Sequence, residues 1–266
     1  MSNWQQQIRK NKHFCILPFS HMHVGTDGAA KVCCIGNWEE YITKDVSKET
    51  FNSIWTSEKY QQIRKDMLDG KAVAACENCY RVDNQGGGSD RSTHNNWFKP
   101  PNDNWDLDIV NGNTDGKPTW MDLRPGRFCN LGCRMCFSSV SSTFAEEHKK
   151  HPELTEVTGE TWFELDDWIE SESMYSSLKE LIPHIKILKL AGGEPLFMPG
   201  VIKLLKWCID SGNTHLHLDI TTNGTRGKGK VVNWLKEFRS VEIQFSIDGI
   251  GSVSYTHLTL PTIYSV

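Results

Sequence analysis

Eight of the nine cysteines in this 266-residue chain fall into two groups whose spacing suits metal ligation. The tighter group is Cys129, Cys133 and Cys136, three thiols in the eight residues CNLGCRMC. A closed zinc site takes four ligands, and no fourth Cys or His stands beside these three, although His148 and His151 follow at some distance. Three thiolates on a cube-shaped four-iron cluster leave one iron with an open coordination position, where a substrate or cofactor can bind. The wider group is Cys15, Cys33, Cys34, Cys76 and Cys79. Cys76 and Cys79 have the spacing of a chelate. Cys15 and Cys33 flank a stretch, HMHVGTDGAAKVCC, that reads as a hairpin turning at Asp27-Gly28. A four-cysteine site results, holding either zinc or a fully ligated iron–sulfur cluster. His21 and His23 share a strand face there, as outer donors to the site or as plain surface residues. Cys208 stands inside a helical pattern beside Trp207 and reads as a core thiol.

The elements that must position these thiols divide the chain. Residues 1–80 read as a small α+β module: the hairpin, then one helix or two short ones carrying Phe51, Ile54, Trp55, Ile63 and Met67 and stopped at Gly70. Residues 81–117, polar and broken by Gly86, Gly87, Gly88, Pro100 and Pro101, read as a linker. From 118 strands and helices alternate. TWMDLR, HIKILKLAG, LHLDITTN and VEIQFSIDG are the strands, with a helical region ending near Pro183 and the helices PGVIKLLKWCIDSG and KVVNWLKEF between them. Such alternation predicts an α/β fold with a parallel sheet and right-handed crossovers. A complete (β/α) TIM-like barrel takes about 250 residues, so 118–251 accounts for a partial barrel of about four units. The uncharged end, 252–266, lacks the amphipathic period of the next covering helix and is expected to be a non-native tail.

Four segments, in order, carry a resemblance to the radical SAM enzymes, which use S-adenosylmethionine (SAM). These are Cys129-x3-Cys133-x2-Cys136 after the first strand, LKLAGGEPLF at 188–197, ITTNGT at 220–225 and FSIDG at 245–249. The resemblance covers about 119–251. It implies a SAM-binding 4Fe-4S cluster on Cys129, Cys133 and Cys136. It also implies reductive cleavage of SAM to a 5′-deoxyadenosyl radical that takes a hydrogen atom from a peptide or from a sugar or cyclitol. The matching cofactor-binding positions are Gly192, Gly193, Glu194 and Pro195, then Asn223, and Ser246 with Asp248 for the ribose. Gly192-Gly193 lets backbone approach a ligand, and Glu194 adds negative charge. Met135 stands where many members of the family carry an aromatic residue against the adenine; Phe137 is a substitute. All four segments fall at the C-terminal ends of predicted strands, where such barrels build their sites.

The stretch from FCILPF through the hairpin to CENCY, about 14–80, resembles the twitch module, a short relative of SPASM, here placed before the barrel rather than after it. That likeness implies an auxiliary 4Fe-4S cluster on Cys15, Cys33, Cys76 and Cys79. It favours Cys33 over Cys34, because a cysteine stands five residues after the turn glycine. The expected partners are an external one-electron reductant such as flavodoxin or ferredoxin, and a peptide or small-molecule substrate. A net charge of −4 gives no basic face for nucleic acid. The chain has no apolar run of membrane-spanning length, and its polar opening lacks a secretory apolar segment. The expected setting is the reducing cytoplasm. The alternative reading is a non-catalytic zinc- or cluster-binding fragment.

Overall fold

The computed structural model describes residues 10–97, 116–133, 135–159 and 167–247. Its centre is one six-stranded sheet with strands β1 His21–Val24, β2 Ala30–Lys31, β3 Trp120–Leu123, β4 Ile187–Leu190, β5 His217–Thr222 and β6 Ser240–Phe245, in the order β2-β1-β3-β4-β5-β6. β1 and β3 to β6 run parallel, and β2 folds back antiparallel on β1. The four expected strands after residue 118 are all present. A fifth parallel strand, β1, comes from the N-terminal stretch and pairs directly with β3, so the two expected units share one sheet. The turn at Asp27-Gly28 joins β1 to β2 with Gly28 at a φ of 73°.

Side-chain alternation gives the sheet two different faces. One carries Met22, Val24, Met121, Leu123, Leu188, Leu190, Leu218 and Ile220, all fully buried. This is the face under the helices. Helix α9, Pro199–Asp210, begins on a proline at its first position and buries Val201, Leu204, Leu205 and Cys208, one stripe at helical spacing. Cys208 is thus the core thiol expected of it. The opposite, inner face carries His23, Asp122, Lys189, Asp219 and Glu242 at one register level. On that face His23 Nδ1 meets Asp122 Oδ2 at 3.0 Å, and Lys189 Nζ meets Asp219 Oδ2 at 2.7 Å.

In the N-terminal stretch, α1 (Leu17–Ser20) leads into β1. The expected helical region is two helices, α2 (Phe51–Trp55) and α3 (Glu58–Leu68), because Thr56 ends the first and Ser57 caps the second by accepting from the Tyr60 N–H. Helix α3 buries Tyr60, Ile63, Arg64 and Met67. The Arg64 guanidinium lies 4.1 Å from the Trp55 ring centroid and 4.3 Å from that of Tyr60, and donates to the carbonyls of Pro18 and Trp55. The Tyr60 hydroxyl donates to the His21 carbonyl at 2.6 Å, tying α3 to β1.

The expected linker is more ordered than its glycines imply. Helix α4 (Glu77–Asn84) runs into it, and α5 (Asp90–Trp97) lies within it. The remaining described helices are α6 (Ser142–Lys150), α7 (Leu154–Thr158), α8 (Glu172–Leu181) and α10 (Lys230–Trp234). Helix α8 ends just before Pro183, as expected. The expected tail, 252–266, lies outside the described residues, and among those residues no helix is long and apolar enough to cross a membrane.

Candidate functional site

The loop bearing the first cysteine group leaves the C-terminal end of β3 and is gripped by backbone. The Gly193 N–H donates to Gly126 O at 3.3 Å, and the Glu194 N–H to Phe128 O at 2.7 Å. A Cβ on Gly193 would stand 2.2 Å from Phe128 O, so only glycine permits this approach. Gly192 has a φ of 105°, and a Cβ there would stand 2.7 Å from Gly126 O. The double glycine therefore seats the loop that carries the three thiols.

Within the loop, Cys129 donates its N–H to Ser142 Oγ at 3.0 Å, Leu131 donates to Cys129 Sγ at 3.5 Å, and Cys136 donates to Cys133 O at 3.0 Å. All three thiols are half-buried. Burial is the main cause raising the Cys129 thiol above its ordinary range, with Cys136 and Glu194 adding to it. A thiolate opposed by burial and by negative neighbours is ionised when a cationic metal centre compensates it, so the donor set fits a cluster.

Glu194 also has partners within the protein that the sequence does not announce. Its carboxylate is fully buried and turned into the protein. Oε1 accepts from Leu196 N at 3.2 Å and Thr222 Oγ1 at 2.8 Å, and Oε2 accepts from Asn223 N at 2.7 Å. The charge is met by the ends of β4 and β5, and it welds those two strand ends together. Pro195 opens the short 3-10 turn that follows. Asn223 reaches back to the cysteine loop: its Nδ2 donates to Asn130 Oδ1 at 3.0 Å and lies 3.9 Å from Cys129 Sγ. In Glu194→Gln an amide N–H would face one of the present donors, at a cost of about 1–3 kcal/mol. We expect this variant to melt earlier and to lose iron faster under a chelator than the parent; equal melting and equal iron retention would contradict the role.

Ser246 follows β6, with its N–H on Thr222 O at 2.9 Å and its side chain exposed; Asp248 lies outside the described residues. Met135 and Phe137 are exposed beside the thiols, 49% and 57%, leaving both free to meet a planar ligand.

The second group lines a small cavity of ≈ 10 Å³, bordered by Cys15, Cys33, Cys76 and Cys79 together with Arg91. Cys34 does not line it. Burial comes first in raising Cys15, with Cys76 and Cys79 adding to it; burial and Cys79 push Cys76 up to about 12. Buried thiols held un-ionised by burial and by neighbouring thiols, as Cys15 and Cys76 are, fit a bound cationic centre. Among the described residues no three His, Cys, Asp or Glu side chains converge as ligands of a single metal ion.

Sequence reasoning passed over Arg91 and Asn95. Arg91 Nη1 donates to Phe14 O at 2.9 Å and its Nε to Asp83 Oδ2 at 3.0 Å. Asn95 donates to Phe14 O and accepts from Ile16 N, both at 2.9 Å, so α5 holds the Cys15 segment from both sides. The readable signal is an Arg and an Asn four apart, on one face of a helix, inside the expected linker.

The two histidines expected at the surface or as outer donors are buried. His21 Nδ1 meets Val32 O at 2.9 Å, next to Cys33, and burial lowers its pKa to about 4. His23 pairs with Asp122. Burial alone would raise the Asp122 carboxyl, but the hydrogen bond and charge of His23, with His21 and Arg124, hold it down to about 2.

Two family models match the sequence. The model of the SPASM iron–sulfur cluster-binding domain covers residues 15–80, and that of the Radical SAM superfamily covers residues 123–257, just over half of the chain. A curated relative, 7,8-dihydro-6-hydroxymethylpterin dimethyltransferase of Methanocaldococcus jannaschii, is 28% identical over 130 residues, which is 48% of this chain and 22% of that protein. The chain thus spans about a fifth of the length of that relative. No solved structure matches.

Proposed function

We propose that this chain, which belongs to the radical SAM superfamily, is the part of an enzyme that binds SAM and a 4Fe-4S cluster at the C-terminal end of its sheet and cleaves SAM reductively. The observation that carries the reading is the grip of the Gly192-Gly193-Glu194 turn on the cysteine loop, through Gly126 O and Phe128 O. Cys129, Cys133 and Cys136 would hold the cluster. When bound, cluster and SAM supply an electron and a hydrogen-abstracting 5′-deoxyadenosyl group. The protein's own contribution is placement. The double glycine brings backbone to the ligand, Asn223 orients the loop at Cys129, Met135 and Phe137 offer apolar surface, and Ser246 with Asp248 offers groups for ribose hydroxyls. An external one-electron reductant, of the flavodoxin or ferredoxin kind, completes the reaction. The substrate we propose is a peptide or a sugar or cyclitol attacked at carbon.

Cys15, Cys33, Cys76 and Cys79 would hold an auxiliary 4Fe-4S cluster, as the match to an iron–sulfur domain and the four-thiol cavity both support. The test is iron and sulfide content after anaerobic reconstitution, followed by SAM cleavage under strong reductant. Stoichiometric zinc with no iron would sink the reading. At the auxiliary site we expect Cys33→Ala to lower iron content by about four per chain, as removal of a cubane ligand should, and Cys34→Ala to leave it unchanged. The reverse pattern would exchange their roles.

A further inference from the structure

Among the described residues, the wall of the four-thiol cavity contains one charged side chain, Arg91. Apart from the thiols, the rest of that wall is neutral, with Leu17, Val32, Ile35 and Ala75 contributing apolar surface. Cys15, Cys76 and Cys79 are buried, so a charge beside them is weakly screened by solvent.

Arg91 is held in that wall rather than left to turn toward solvent. Its side chain is 12% exposed. From α5, Nη1 donates to the carbonyl of Phe14, the residue before Cys15, at 2.9 Å. Nε and Nη2 both donate to Asp83 Oδ2. Asp83 stands on α4, one turn beyond Cys79. The helix that supplies one of the thiols therefore also orients the guanidinium. Burial alone would raise the Asp83 carboxyl, but hydrogen bonds from Arg91 and Ser89 hold it below its ordinary range. The pair is thus ionic, with its positive member lining the cavity and its negative member behind, outside the lining.

We infer that Arg91 raises the reduction potential of the auxiliary cluster, and that Asp83 is the positioning residue that holds Arg91 in place and tempers its charge. This assignment rests on the auxiliary-cluster reading and deepens it. A cluster on four thiolates is an anion, and one electron taken from the external reductant makes it more negative. Net charge, hydrogen bonds to sulfur and solvent exposure set the potential of such a cluster. A fixed cation in the wall stabilises the reduced form more than the oxidised form. The Asp83 carboxylate, behind the guanidinium, acts in the opposite sense. Loss of the Arg91 charge therefore makes the cluster harder to reduce, and loss of the Asp83 charge makes it easier. Loosened packing that admits water would move both variants in one direction.

The test uses the full chain with Cys129, Cys133 and Cys136 replaced by alanine, so that the auxiliary cluster alone is loaded by anaerobic reconstitution. Dithionite titration with redox mediators, followed by electron paramagnetic resonance, gives the midpoint potential. Arg91→Gln in this background should lower the reduction constant at least roughly tenfold, a midpoint fall of about 59 mV for one electron. Asp83→Asn, which keeps an acceptor for Arg91, should raise that constant at least roughly twofold. A smaller fall in Arg91→Gln, or a shift of both variants in the same direction, overturns the assignment. If Arg91→Gln fails to hold iron, Asp83→Asn decides alone: a raised midpoint supports the role of the cation, and an unchanged or lowered one refutes it. A parent background that binds no iron overturns the auxiliary-cluster reading instead, so the two failures are distinguishable.

Discussion

Replacing Cys129, Cys133 and Cys136 together by alanine should abolish SAM cleavage while leaving about four irons per chain on the other cysteine set, since each cysteine-bound cubane holds four. The expectation follows from separation. The first set sits on the loop after β3, held by Ser142 and the Gly192-Gly193 turn. The second surrounds its own cavity, with walls of residues from 15–36, 75–79 and Arg91. None of the residues that hold the first loop lines that cavity, so emptying the first should leave the second assembled. SAM should also fail to alter the electron paramagnetic resonance signal of the remaining cluster, because four thiolates leave no open iron. Full iron content in the triple variant, or a SAM-induced change in the remaining signal, would show that the ligands are misassigned.

Gly193→Ala should be nearly as damaging, although it removes no ligand. The added methyl would stand 2.2 Å from Phe128 O and 2.5 Å from Arg127 O, backbone atoms that no flexible side chain can relieve. The loop must shift by an ångström or so, and with it the turn that gives up its N–H groups to Gly126 O and Phe128 O. Strain at such a site costs about 1–3 kcal/mol. The larger loss is geometric, because three thiols must reach one cluster together. We expect under a tenth of parental SAM cleavage, roughly the effect of 1.4 kcal/mol or more, with iron lost from the first site only. Gly88→Ala, at a glycine without a positive φ whose added Cβ meets nothing within 4 Å, is the control for generic backbone cost. Cleavage in Gly193→Ala within twofold of the control would refute the seating role.

What could be read from sequence was local. The β3, β4, β5 and β6 strands, α9 with its proline start, and the cysteine loop were legible because period, turn residues and thiol spacing are properties of short segments. The four-thiol cavity was legible in membership, since Cys76 and Cys79 are a chelate pair and the hairpin brings Cys33 back toward Cys15. What escaped was long-range. Nothing near His21–Val24 announces that it pairs with Trp120–Leu123, about a hundred residues on, because a buried parallel strand leaves no local trace of its partner. For the same reason His23 looked like a surface residue; its partner, Asp122, is visible only once the register is known. The carboxylate partners of Glu194 are hidden in sequence for a related reason. A carboxylate beside a ligand-binding turn looks like a charge for the ligand, and only the tertiary structure shows Thr222 and Asn223 waiting for it.

The pairing of β1 with β3 has a mechanical consequence. Two cofactor sites joined by a tether would sample a range of separations, and any electron passing between them would wait on domain motion. Here a ladder of backbone hydrogen bonds runs from the strand after Cys15 to the strand before Cys129. Spacing between the sites is thereby a property of the sheet, constant to within the small fluctuations of paired strands. Spin labels placed beside each site should report one narrow distance distribution, unchanged by SAM.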